Sequence, residues 1–137
     1  MSTEENKAIV RRYQEIYNSN NLDVLTEVVA ENFRTPRMMP GMPQGLEGAK
    51  KIHELTLIGM PDWQTEIDEL IAEGTKVVAR ITIRGTHLGD FFGIPATGRQ
   101  VKVSGIYIVR IENGKIVEHW GEEDSLGLLQ QLGAMPT

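Results

Sequence analysis

The run Thr75–Gly133, TKVVARITIRGTHLGDFFGIPATGRQVKVSGIYIVRIENGKIVEHWGEEDSLGLLQQLG, decides the fold. From Val77 onward the pattern alternates strictly. Val77, Ala79, Ile81 and Ile83 share one face with His87, while Arg80, Thr82, Arg84 and Thr86 take the other, as a half-buried strand requires. After a Gly-rich aromatic connection, Val101, Val103, Tyr107, Val109 and Ile111 again share a face, opposite Lys102, Ser104 and Arg110. Asn113-Gly114 between two such runs is a strong signal for a tight hairpin. The last strand then runs from Lys115 to about Gly121. Unbroken alternation puts Trp120, Glu122 and Asp124 on one side of it and sends His119 to the outer face or to a subunit contact. The adjoining LGLLQQL reads as a short closing helix.

Outside this run the chain supplies packing. With 137 residues it reads as one domain, 1–137, able to bury a single core. It has no Cys, which removes disulfides, thiol nucleophiles and Cys-ligated zinc. The net charge is −5 with Lys and Arg scattered singly, so no basic stripe exists to follow a nucleic-acid backbone. The start MSTEENKAIVRR lacks the basic and apolar parts of a signal peptide, and no stretch is long enough to span a bilayer. The expectation is a cytoplasmic protein with neither a nucleic-acid nor a membrane partner.

Ser2 and Glu5 have the form of a capping box, and Ile9, Val10, Tyr13, Ile16 and Tyr17 recur at helical spacing behind it. Asn18 to Asn21 ends that helix. A shorter one is expected from about Leu22 to Ala30. The segment from Arg34 to Gly45, rich in Pro and Gly, reads as a loop, with Met38, Met39 and Met42 either lining an adaptable pocket or plugging the end of the core. A third helix is expected from about Leu46 to Leu57, with His53 on its surface side. From Trp63 to Ala72, alternation puts Trp63, Thr65, Ile67 and Ile71 on one face. Helices and then a meander of long strands predict an α+β domain: a cone-shaped, barrel-like, curved antiparallel or mixed sheet enclosing a pocket with its N-terminal helices.

The strings GTHLGDFFGIPATGRQV and NGKIVEHWGEEDSLGLLQQLG, with the preceding Pro-Asp-Trp and Glu-Gly turn, make the chain resemble the SnoaL-like polyketide cyclases of the nuclear transport factor 2-like superfold. The resemblance spans nearly the whole chain. It implies intramolecular aldol ring closure with no metal or organic cofactor, a small apolar or aromatic polyketide-like ligand, and a homodimer formed through the outer sheet face. By motif it assigns general acid/base work to Asp124 and places His87 in the same pocket. Trp63, Tyr107, Trp120, Phe91, Phe92, Met38 and Met42 are then the expected ligand contacts, with the 91–95 loop capping the mouth.

The residues themselves leave alternatives open. Asp124 directly precedes the closing helix, so its carboxylate fits an N-cap as well as a catalyst. His87 fits a satisfied buried histidine equally. The same fold also serves a non-catalytic small-molecule binding module, or an isomerase or hydrolase on an unrelated small molecule.

Overall fold

In this computed structural model, which describes residues 1–36 and 38–135, helix α1 (Thr3–Ser19) starts at the capping box read from the sequence. Ser2 Oγ accepts from Glu5 N and Glu5 Oε1 accepts from Ser2 N, each at 3.1 Å. The helix stops where Asn20 adopts φ 64°, a left-handed cap that Asn tolerates. Its buried face carries Val10, Tyr13 and Ile16. Near its end the Asn18 amide donates to Thr65 O at 2.8 Å and accepts from Thr65 N at 3.0 Å, so one side chain serves the free edge of a strand.

A 3₁₀ turn over Leu22–Glu27 leads into strand β1 (Val29–Arg34), then helix α2 (Gly45–Gly59). This corrects the expected helix to Ala30. Val28 and Val29 are β-branched, and the open edge of a later strand offers backbone partners that a marginal helix lacks. Strands β2 (Gln64–Glu73), β3 (Lys76–Thr86), β4 (Gln100–Glu112) and β5 (Lys115–Glu123) come next, and helix α3 (Ser125–Gln131) closes the chain. The sheet order is β1-β5-β4-β3-β2, antiparallel except for the parallel β1–β5 pair. It is an open mixed sheet with β1 and β2 at its edges. Among the described residues no helix is long and apolar enough to cross a membrane.

Strands β3 and β4 keep the predicted parity: Val77, Ala79, Ile81, Ile83, Val101, Val103, Tyr107, Val109 and Ile111 are all buried in one core. Their neighbours do not. In β2 the partners step from Ile67↔Ile81 to Glu69↔Arg80, leaving Asp68 extra, so Leu70 and Ala72 turn inward and Ile71 is 57% exposed. In β5 they step from Ile111↔Ile116 to Arg110↔Glu118, leaving Val117 extra, and Ile116 and Val117 are both buried. Past that bulge the inward residues of β5 are the odd ones.

Candidate functional site

A cavity of about 270 Å³ lies between the inward sheet face and helices α1 and α2. Ile81 and Ile83 of β3 form its floor, and Phe33, Trp63 and the Met38–Met39 segment add apolar wall. Apolar walls with polar groups converging between them are the usual form of a small-molecule site.

Polar groups reach the cavity from the strands and from both helices. The β5 bulge aims His119 and Glu123 inward, opposite Val109 and Gly105 of β4. His119 stacks on the Tyr107 ring at 5.1 Å with 28° between planes, and lies 6.2 Å from Tyr13. Burial pushes its imidazole down to about 4, partly opposed by a hydrogen bond to its own main-chain carbonyl. In the neutral ring one nitrogen carries the proton and the other a lone pair. Glu123 is exposed at the rim, yet the wall strips enough water from its carboxyl to raise it above the ordinary carboxylate value. Gly105 makes this placement possible: a Cβ there would stand 3.3 Å from Glu123 Cγ and 3.4 Å from Ile81 Cγ1.

Helix α1 contributes Tyr13, Gln14 and Tyr17, and α2 contributes His53. The Tyr107 hydroxyl donates to Gln14 Oε1 at 3.1 Å. Burial is the main cause that raises Tyr13, Tyr17 and Tyr107, so all three remain phenols. His53, only 8% exposed, is paired through Nε2 with Asn20 Oδ1 at 2.9 Å, and burial lowers it. The expectation of a surface-facing His53 is corrected, since the helix turns this residue toward the chamber.

Tyr107, Trp63 and Met38 border the cavity, and Met39 joins them; Met42 does not. Trp120 is on the other side of the sheet, opposite Ile108, with Lys76 Nζ 5.9 Å from its ring centre. The bulge at Val117 is the reason: it exchanges the roles assigned to His119 and Trp120. Phe91 is buried, stacked on the back of Trp63 at 5.8 Å, and Phe92 is 41% exposed with φ 47°. Neither borders the cavity, so the 91–95 loop does not cap the mouth.

His87 is wholly buried and fully bonded. Its Nε2 donates to Ile94 O at 3.1 Å, while Nδ1 accepts from the Thr97 hydroxyl at 2.9 Å and from Thr97 N at 3.3 Å. No ring nitrogen is left for a ligand, and the histidine clasps the connection between β3 and β4. Asp124 is exposed, and its Oδ1 accepts from Gly127 N at 2.9 Å as the N-cap of α3. It is not among the groups around the cavity. Alternation without a bulge misses His119 and Glu123; the adjacent pair Ile116-Val117, apolar within an otherwise alternating strand, is the sequence signal for the extra residue.

A family model described as SnoaL-like polyketide cyclase matches residues 7–132. Aklanonic acid methyl ester cyclase DnrD of Streptomyces peucetius is 32% identical over 128 residues, 91% of this chain and 88% of that protein. The cyclase DauD of Streptomyces sp. strain C5, named for the same ester, is 30% identical over 134 residues, covering 91% of this chain and 80% of its own. Among solved structures, TsrD from Streptomyces laurentii superimposes with a TM-score of 0.89 at 32% identity, covering 98% of this chain and 99% of TsrD.

Proposed function

Because the chain belongs to the SnoaL-like polyketide cyclase family, we propose that it closes a ring in a small polyketide-like ester by intramolecular aldol addition, with His119 as the proton-transferring group. The observation that carries this is an imidazole stacked on Tyr107 and facing the cavity, where burial lowers its basicity. In the reaction the free imidazole nitrogen takes the proton from a carbon flanked by carbonyls. The resulting enolate carbon bonds to a second carbonyl carbon of the same molecule, whose oxygen becomes an alkoxide. The imidazolium returns its proton to that alkoxide, so product and substrate have the same formula and no electrons are exchanged with a third species.

Desolvation of His119 favours both halves of the step. A buried imidazole is hard to protonate while the site is uncharged, and the developing enolate then supplies the negative charge that stabilises the imidazolium. Glu123 adds a carboxyl two inward positions further along β5, where it supports the same cationic state. Asp124 keeps its structural task at the start of α3.

Aklanonic acid methyl ester, for which the relatives are named, is the first substrate to try. Turnover is read as a new chromatographic species of unchanged mass. His119→Gln is expected to lower kcat about 100-fold or more, the range of a lost general base, while Asp124→Asn stays within about threefold. Loss of turnover in Asp124→Asn with His119→Gln active would sink the assignment to His119. A wild-type protein that binds enolisable esters, conjugated ketones and epoxides but converts none would be a binding module.

A further inference from the structure

The hydrogen-bond polarity of the Tyr107 hydroxyl at the cavity wall is set by a residue that does no chemistry. Tyr107 is 4% exposed and Gln14 8%, and the single hydroxyl proton of Tyr107 is given to Gln14 Oε1 at 3.1 Å. A phenol has one donor and two lone pairs, so a tyrosine whose proton is taken can only accept. Burial holds it in the phenol form, which removes ionisation as another way to change its role. The lone-pair nitrogen of a neutral His119 is a second acceptor on this wall, beside the Tyr107 ring.

We propose that Gln14, by holding the Tyr107 proton, makes the Tyr107 oxygen an acceptor toward the cavity and selects aromatic ligands that present a hydroxyl to it over their methyl ethers. Gln14 is a positioning residue: it acts on the ligand through Tyr107. The inference rests on the reading of the cavity as the substrate site and adds to it the chemical class of the substituent. The physical basis is an asymmetry. A hydroxyl meeting the Tyr107 oxygen gains a hydrogen bond, whereas an ether oxygen meeting it places two acceptors together, which leaves both unsatisfied.

The test is calorimetric binding of 2-naphthol and of 2-methoxynaphthalene to the full-length protein near pH 7, where the naphthol is un-ionised. Wild type is expected to bind 2-naphthol about 10-fold more tightly. Gln14→Met, similar in length but without the acceptor, frees the Tyr107 proton to rotate toward the ligand, so the preference falls to about threefold or less. Tyr107→Phe abolishes it. Circular dichroism checks both variants, and the wild-type comparison stands alone if either fails to fold. Equal affinities in wild type, tighter binding of the ether, or a preference that survives in Gln14→Met or Tyr107→Phe would overturn the proposal while leaving the cyclase reading intact. Binding of neither naphthalene at millimolar concentration would remove the cavity as an aromatic site, and both readings with it.

Discussion

His87 shows how one residue's surroundings decide its role. Its position on the apolar parity of β3 is compatible with a catalytic imidazole, but both nitrogens are spent on Ile94 and Thr97, which hold the connection between β3 and β4. Replacing it by Phe leaves a buried carbonyl and a threonine without their partner. The expected cost is about 2–4 kcal/mol in the denaturant-unfolding free energy, with ligand affinity at the cavity unchanged. A variant that loses affinity without losing stability would return His87 to the site. His119 is the opposite case: its sequence position suggests the outer face, and the register turns it inward.

At the scale of elements, the two bulges matter more than any helix. Each inserts one residue, Asp68 in β2 and Val117 in β5, and each reverses the parity of the residues beyond it. A one-residue change of this kind exchanges the whole inward set of a strand. The glycines opposite the bulged strand then decide how much room the new inward residues have. At Gly105 an added Cβ would meet Glu122 O at 3.0 Å and Glu123 Cγ at 3.3 Å, contacts that force the glutamate outward. Gly105→Ala is therefore expected to keep the fold, since strand propensity offsets part of the crowding by about 0.5–1 kcal/mol. It should also bring the Glu123 carboxyl back toward its ordinary range. Carbon-detected NMR titration of Glu123 in both proteins checks this, and an unchanged Glu123 titration would show that Gly105 does not set its position.

For the molecule as a whole, the buried imidazoles make stability depend on pH. His119 is held at about 4 and His53 is lowered as well, while an unfolded histidine titrates near 6.5. Between these values the unfolded chain binds protons that the folded chain refuses, so stability is greatest above about pH 6.5 and is lost as pH falls toward 4. Glu123 runs the other way, because its raised carboxyl binds its proton more readily in the folded state. His119 contributes on the order of 2 kcal/mol to the acid loss. Urea unfolding of wild type and His119→Gln at pH 7 and pH 4.5 should show a smaller difference between the two pH values in the variant. An equal difference in both would mean that His119 is solvated in the folded protein.

Much of this architecture is legible in the chain. Ser2 and Glu5 announce the first helix, Asn113-Gly114 the hairpin, and the alternation of Val77 to Ile83 and of Val101 to Ile111 the central strands, because each is a local pattern with a local cause. The α+β class comes from their order. β1 is not visible there: its backbone is held by Val28 and Ile116, residues far apart in the chain, and Val28-Val29 carries no signal that a parallel partner awaits it. The contents of the cavity are only partly legible. The parity of Tyr107 and Trp63 can be read because their strand segments lie on unbulged stretches, whereas His119, Glu123 and Gln14 require the register of β5 and the packing of α1 to be known. The amino-acid order by itself thus determined which stretches become helix and central strand, since propensity and period act over neighbouring residues. Only the tertiary structure decided which polar groups meet in the cavity, since that depends on where a strand spends one extra residue against a partner distant in sequence.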